Sequence, residues 1–280
     1  MKYIPVAAHR GNIDGYPENT MPAFRSAYEI GVDMIELDLH MTKDKEIIVM
    51  HDGKLDRTTD KTGRICDLTL AEIREADAGI KKDQKFAGEK VPTFREFLEL
   101  VKEMDDAGYT VPGRGDAKMT FNFEFKDYFR DLGDDFASES CDRTIAMILE
   151  YGLEDRCVIN SFDGKLLQYV QDKWNGRFKL HGFHPYKQYL GDVYPLPMYC
   201  VCLFDPGVDS AGNSCQVAEP AVFDAVKADG CQTWLGAGVK LEEHVKMGCE
   251  RGADLYTSNE PAKLMDMLKR LGYRDGEWKL

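Results

Sequence analysis

The sequence predicts an α/β fold, specifically a (β/α)8 barrel in which helices surround eight parallel strands. Short segments rich in β-branched residues alternate with amphipathic helical patterns through most of the 280 residues, which is the arrangement of a parallel sheet covered by helices. The predicted strands are short and evenly spread, which favours a closed barrel over a doubly wound sheet. No GxGxxG motif follows the first strand, so a dinucleotide-binding fold is not indicated.

Nine segments are predicted as strands and seven as long helices, and most helical patterns come between two strands. The predicted strands are residues 4–9, 33–39, 46–51, 119–125, 157–161, 178–183, 199–204, 230–235 and 254–257. The predicted helices are residues 18–31, 93–104, 136–151, 163–174, 218–229, 240–251 and 261–271.

One predicted strand is surplus to the eight places of a barrel, and a hairpin within residues 33–51 explains it. Too few residues separate the two halves of this segment for a helix, so a tight turn within residues 43–45 is expected. One position of the turn sets His51 opposite Glu36, and the next position sets His51 opposite Asp38. Either register places this histidine beside an acidic pair.

We expect residues 1–280 to form a single barrel domain with a small inserted segment at about residues 53–92, after the second and third strands. The inserted segment is charged, has few strand signals and contains one short helical stretch, so it is not expected to have a core of its own. Two further irregular regions, 184–198 and 205–217, have the length of functional loops.

The composition excludes some classes of partner. A net charge of -13 disfavours nucleic acid, and a phosphate ester would have to meet a local cation such as a bound divalent metal. No apolar stretch reaches the roughly 18 residues of a membrane span, so no integral membrane segment is predicted. The opening MKYIPVAAHRG lacks a signal-peptide core, so we expect a cytoplasmic protein or one whose signal has been removed. The eight cysteines form no CxxC and are expected to be reduced.

Carboxylates on two predicted strands are candidate metal ligands. Glu36 and Asp38 are two residues apart, so both side chains project from the same side of their strand, and oxygen ligands of this kind suit Mg²⁺ or Ca²⁺. In TFNFEFK the phenylalanines alternate with polar residues, so Glu124 and Lys126 are expected to point into the mouth of the barrel. The alternatives are a solvated strand face for the first pair and a structural salt bridge for the second.

Two histidines come at the ends of predicted strands. His9 ends the first strand and His51 ends EIIVMHD. Histidines in such positions can act as general acid and general base near neutral pH. Taken singly, each is also compatible with a purely structural role.

These residues lie in motifs that resemble those of the glycerophosphodiester phosphodiesterase family, and the resemblance extends over nearly the whole chain. The N-terminal motifs are the most specific ones. The motifs are His9-Arg10-Gly11, Pro17-Glu18-Asn19-Thr20, Glu36-x-Asp38, His51-Asp52, Leu55-Asp56-Arg57-Thr58-Thr59, VPTFREFL (91–98), NFEFK (122–126), INSFD (159–163), Trp234 and TSNEP (257–261).

The resemblance implies a TIM barrel with a small insertion after His51. It implies one divalent metal ion, Ca²⁺ or Mg²⁺, held by Glu36, Asp38 and Glu124. The family cleaves glycerophosphodiesters, small-molecule substrates, to glycerol 3-phosphate and an alcohol. The oligomeric state is not indicated.

The resemblance also implies roles for the remaining site residues. His9 and His51 would form the acid–base pair, although which is the acid is left open. Arg10 and Lys126 would lie near the phosphate, and Trp234 would pack against the glycerol or, alternatively, in the core. A neighbouring glycerol hydroxyl would attack first and give a cyclic phosphate.

Two late motifs depart from the family pattern, so the alcohol preference stays open. Trp234-Leu235-Gly236-Ala237 stands where the family often has Trp-Thr-Val-Asn, and Ser258-Asn259 stands where it usually has Thr-Asp. One alternative is a lysophospholipase D-type enzyme acting on lipids, and another is a non-catalytic sugar-phosphate-binding barrel. The lipid alternative predicts an exposed aromatic rim, with candidates Tyr186, Tyr189, Tyr194, Leu196, Met198 and Tyr199.

Overall fold

The computed structural model describes residues 2–193, 195–276, 278 and 280, with the backbone alone at Lys187. The strands are β1 (Val6–Ala8), β2 (Met34–Met41), β3 (Ile47–Val49), β4 (Thr120–Phe125), β5 (Cys157–Asn160), β6 (Lys179–His184), β7 (Cys200–Leu203), β8 (Gly207–Val208), β9 (Ser214–Cys215), β10 (Gln232–Leu235) and β11 (Leu255–Ser258). The helices are α1 (Met21–Ile30), α2 (Leu70–Ile73), α3 (Phe94–Asp106), α4 (Phe129–Leu132), α5 (Asp134–Glu150), α6 (Gly164–Lys173), α7 (Tyr186–Tyr189), α8 (Pro220–Ala228), α9 (Glu242–Arg251) and α10 (Pro261–Arg270).

Eight of these strands close into the predicted parallel barrel, in the order β1, β2, β4, β5, β6, β7, β10 and β11. The circle closes because β1 pairs in parallel with both β2 and β11. Each predicted strand and each long predicted helix has a counterpart within a few residues. The small antiparallel pair β8–β9 was not predicted; it lies within the region 205–217 that was expected to be irregular.

The alternation of β4 places its side chains as predicted. Phe121 and Phe123 are fully buried against α3, where they meet Phe97 and Phe94 edge-on at ring distances of 5.6 and 5.2 Å. The opposite face of the strand points into the barrel. Aromatic packing on the helix side therefore fixes which residues of β4 line the interior, Glu124 among them.

The hairpin is confirmed, but both predicted registers were wrong. In β2 and β3, Leu39 pairs with Val49 and His40 with Ile48, which lies midway between the two predictions. The turn has three residues, 43–45, with Lys45 in the left-handed conformation at φ 70°. Both predictions centred the turn between two residues, whereas a three-residue turn is centred on its middle residue, so the observed pairing falls between the two predicted registers. The amide of Met50 consequently donates to the carbonyl of Asp38 at 3.0 Å, and His51 lies one residue beyond.

The inserted segment rests on this hairpin. Leu55, Ile65 and Ile73 form a small buried cluster together with Ile48 and Met50, which belong to the hairpin arm. The segment thus has buried apolar side chains, and they share their core with the barrel's own hairpin. This packing holds the segment beside the end of β3, where His51 lies.

Two simpler expectations can be compared directly with the structure. All eight cysteines, each within the described part of the chain, are free thiols, and all but Cys66 are buried. Among the described residues, every helix is too short or too polar to cross a lipid bilayer.

Candidate active site

Three buried carboxylates meet at the ends of two neighbouring strands. Strands β2 and β4 are paired so that Asp38 lies beside Glu124, and Glu36 precedes Asp38 on the same face. Glu36, Asp38 and Glu124 are 2%, 0% and 6% exposed, and one oxygen from each lies within 4.8 Å of the others. Their charges repel at this separation unless cations offset them.

Lys126 supplies one of these cations. Its ammonium is hydrogen-bonded to Glu124 and lies 3.2 Å from Oδ1 of Asp38. The strand places this lysine two residues beyond Glu124, on the same face, as the alternation predicted. Burial lowers the pKa of Lys126, but the two carboxylates outweigh burial and raise it, so the side chain stays charged.

Two residues in the left-handed conformation aim further donors at the carboxylates. Arg10 has φ 59° and its backbone N–H donates to Oε2 of Glu36 at 2.8 Å. Asn19 has φ 54° and its side-chain amide donates to Oδ2 of Asp38 at 2.8 Å. Residues other than glycine seldom adopt positive φ, and such strain is characteristic of functional sites.

The three carboxyl groups titrate differently because their neighbours differ. Burial raises the pKa of Glu36 well above its usual value, and the charges of Asp38 and Glu124 add to that effect. Burial also raises the pKa of Glu124, against the opposing effect of Lys126. The pKa of Asp38 is lowered, because Lys126, His51 and Arg10 together outweigh its burial.

A divalent cation fits this donor set. The oxygens are hard, buried and convergent, and Oδ1 of Asp38 makes no hydrogen bond with any described residue. Burial and the neighbouring carboxylates raise the pKa values of Glu36 and Glu124 despite Lys126 and Arg10, so a further cation would favour the ionised forms of both. The cluster could therefore hold a metal ion.

His9 contacts the carboxylates from the end of β1. Its Nε2 lies 4.0 Å from Oε2 of Glu36, while its Nδ1 lies 2.6 Å from Oδ1 of Asn259, which follows β11. Burial and the nearby Arg10 lower the pKa of His9 to about 4, although the bond to Asn259 opposes the shift. This histidine is therefore neutral near pH 7.

His51 has a charged partner instead. Its Nδ1 lies 2.7 Å from Oδ1 of Asp52. Burial lowers the pKa of His51, whereas Asp38 and Asp52 oppose that change. The hydrogen bond from Arg57 is the largest contribution that lowers the pKa of Asp52 to about 2, so this carboxylate remains ionised.

An unbroken chain of ion pairs links Arg10 to His51. Arg10 donates to Glu18 at 2.8 Å. Arg57 donates to both oxygens of Glu18, at 2.8 and 2.7 Å, and to both oxygens of Asp52, at 2.8 and 3.0 Å. Arg57 belongs to the inserted segment, so the segment contributes directly to the position of His51. These residues lie inside the family motifs, but nothing in their local pattern indicated this chain.

A second buried network supports the backbone of His51. Nδ1 of His40 lies 2.7 Å from Asp127, and Nε2 lies 3.3 Å from the carbonyl oxygen of His51. The other oxygen of Asp127 accepts hydrogen bonds from Ser140 and from the amide of Met41, both at 2.7 Å. His40 shares its strand face with Glu36 and Asp38, and that parity could have identified it from the sequence.

Of the two alternatives for Trp234, the structure supports the core position. Its side chain is fully buried inside the barrel in a cluster with Met34 and Val158, and its indole N–H donates to Gln232. A residue on this face of β10 points inward below the mouth. The other predicted site residues do come together at the mouth of the barrel: His9, Arg10, Glu36, Asp38, His51, Glu124 and Lys126.

The predicted aromatic rim is present only in part: Tyr189 packs against a cluster of phenylalanines at ring distances of 5.3 to 6.4 Å. Leu196 and Met198 are buried, and Tyr194 lies outside the described residues. Instead, Phe162, Phe183 and Phe204 stack with nearly parallel rings, 3.6 Å apart for the first pair and 5.2 Å for the second. Of these three only Phe204 is markedly exposed, at 47%, which is a small apolar surface for a lipid chain.

Comparisons with known proteins agree with this architecture. The sequence matches the model of the glycerophosphoryl diester phosphodiesterase family over residues 9–263. A glycerophosphodiester phosphodiesterase of Caldanaerobacter subterraneus subsp. tengcongensis is 40% identical over 166 residues, which span 59% of this chain and 61% of that relative.

Solved structures share the fold. Glycerophosphodiester phosphodiesterase from Agrobacterium tumefaciens superposes with a TM-score of 0.69 at 22% identity, covering 95% of this chain and 100% of that one. An Oleispira antarctica phosphodiesterase in complex with the product sn-glycerol-3-phosphate gives a TM-score of 0.72 at 19% identity, over 95% and 97% of the two chains.

The carboxylate cluster makes a prediction about stability. Adding Ca²⁺ or Mg²⁺ to chelator-treated protein at pH 8 should raise the thermal midpoint, because the cation pairs buried charges; at 100 times Kd the gain is about 2.7 kcal/mol. Glu36→Gln should raise the midpoint in chelator, because repulsion falls, and should reduce the metal-induced gain. The control is Glu139→Gln, whose carboxylate pairs with Arg143 on the surface. An equal metal-induced gain in all three proteins would contradict this account.

Proposed function

The chain belongs to the glycerophosphoryl diester phosphodiesterase family, and on that premise we propose that it hydrolyses glycerophosphodiesters to glycerol 3-phosphate and an alcohol. The observation that carries the proposal is the pair of histidines, with different hydrogen-bond partners, beside one cluster of buried carboxylates. The curated relative is aligned over only about three fifths of its length, so its activity is a guide to the reaction and no more.

We propose that Glu36, Asp38 and Glu124 hold one divalent ion, Ca²⁺ or Mg²⁺. When bound, such an ion would polarise the phosphoryl oxygens and offset the negative charge that develops during the reaction. Arg10 and Lys126 lie beside the same carboxylates and would add positive charge for the phosphate. Arg10 presents a planar set of donors, whereas Lys126 acts as a point charge.

The partners of the histidines suggest which is the base. Asn259 is neutral, so a proton on His9 gains no ion pair there, and an Nδ1–H donated to Asn259 leaves Nε2 free to accept a proton. Asp52 is ionised and favours the protonated form of His51. We therefore assign His9 as the general base and His51 as the general acid.

The assigned roles give a balanced reaction. His9 takes the proton of the attacking hydroxyl, which belongs to water or to the neighbouring carbon of the glycerol. The new P–O bond forms as the bond to the leaving alcohol breaks, and His51 gives its proton to the departing oxygen. If the glycerol hydroxyl attacks, water then opens the cyclic phosphate and glycerol 3-phosphate is released.

The direct test is hydrolysis of glycerophosphocholine with and without chelator, measured as release of glycerol 3-phosphate. Activity should depend on a divalent metal, and His9→Ala and His51→Ala should each reduce kcat by about 10² to 10⁴-fold, the range for a well-placed acid or base. His244→Ala on α9 is the matched control and should retain activity. No hydrolysis with any divalent metal would refute the proposed function.

The assignment of acid and base predicts opposite shifts in the pH profile of kcat/KM. In Asn259→Asp a carboxylate would favour the protonated form of His9 and raise its pKa, so the acidic limb should move up by about one pH unit or more. In Asp52→Asn the pKa of His51 should fall, so the alkaline limb should move down. If Asn259→Asp instead moved the alkaline limb up and Asp52→Asn moved the acidic limb down, the two roles would be exchanged.

A further inference from the structure

A cleft of about 410 Å³ lies between the inserted segment and the loop after β4. His51 and Lys126 line it, together with Lys54 and Arg64 from the inserted segment and Tyr128 from the loop. The cleft is therefore continuous with the proposed catalytic site on the side of the general acid. It offers room for a group larger than the phosphate that is cleaved.

Two cations of the inserted segment are available to a ligand in this cleft. Lys54 and Arg64 pair across an isolated antiparallel bridge, which puts their side chains on the same face. Lys54 makes no ion pair with any residue in the described ranges. Among the residues that the structure describes, Arg64 forms an ion pair only with Asp67, at 3.9 Å, and both of these side chains are more than half exposed. Neither cation is therefore committed to a structural partner.

The two acidic residues that line the cleft differ in how they are held. Asp127 is buried, and both of its oxygens are hydrogen-bonded, one to His40 and the other to Ser140. Asp131 lies 3.6 Å from Arg130, and both of these side chains are more than half exposed, as in the pair of Arg64 and Asp67. In a chain with a net charge of -13, two uncommitted cations beside a catalytic histidine form a local site for an anion.

We propose that this cleft binds a phosphate group carried by the leaving alcohol, so that the preferred substrates are glycerophosphodiesters of a phosphorylated polyol. The inference rests on the proposed function and on His51 as the residue that protonates the leaving oxygen. An alcohol departing toward His51 would extend into the cleft, where a terminal phosphate dianion meets Lys54 and Arg64. Charge-assisted contacts with these two side chains would select it over a neutral polyol.

The test compares two substrates that differ only in a phosphate on the leaving inositol: glycerophosphoinositol and its inositol-phosphorylated form. Wild-type protein with metal should show a KM about tenfold lower for the phosphorylated substrate, as expected for one or two charge-assisted contacts. The double variant Lys54→Gln with Arg64→Gln should remove this advantage and leave kcat/KM for glycerophosphoinositol within about twofold. Added salt should weaken the preference in the wild type, because the two cations are exposed.

A second double variant distinguishes the local effect of the cleft cations from the effect of the overall charge of the inserted segment. Lys61→Gln with Lys90→Gln removes the same charge from the inserted segment at positions that do not line the cleft, and should preserve the preference. Equal effects of the two double variants, or equal effects on both substrates, would overturn the cleft proposal while the hydrolase stands. Binding of inositol monophosphate to the metal-loaded protein, measured by calorimetry, distinguishes failure of the cleft proposal from failure of the proposed function. If the cleft variant loses this binding while the wild-type protein hydrolyses no diester, the anion site is supported and the proposed function is refuted.

Discussion

The repulsion among Glu36, Asp38 and Glu124 is the constraint around which this end of the barrel is organised. Register between β2 and β4 brings the three carboxylates together in a buried place, where water cannot disperse their charge. Neighbouring residues offset this charge with hydrogen-bond donors: the backbone N–H of Arg10, which is in the left-handed conformation, and the ammonium of Lys126. Burial still leaves two of the three carboxyl groups with raised pKa values, and the cluster could hold a cation that would offset their charge.

The two histidines are held by different partners, and that difference is the basis of the acid and base roles proposed for them. His9 is fixed by an amide from the far end of the chain, whereas His51 is fixed by a carboxylate, which Arg57 of the inserted segment holds in turn. His40 adds a bond to the carbonyl of His51. The inserted segment thus contributes to the candidate site, because it supplies Arg57 and borders the cleft beside His51.

The sequence predicted those features that depend on local periodicity and missed those that depend on long-range partners. Parity alone identified the shared face of Glu36 and Asp38, and the barrel followed from the alternation of strands and helices. The hairpin register failed because it depended on the length of one turn. Parity could not decide between the two alternatives for Trp234, because a residue on the inner face of a barrel strand can point to the mouth or below it. The contact between His9 and Asn259 joins residues 250 positions apart, which no local pattern encodes.

A crystal structure of the protein grown with Ca²⁺ and glycerol 3-phosphate would test the central claim most directly. We predict one ion bound by oxygens of Glu36, Asp38 and Glu124, with a phosphate oxygen on the ion and both histidines facing the phosphate. The anomalous signal of the calcium would establish its position. An ion bound elsewhere, or a phosphate held away from these carboxylates, would contradict the account.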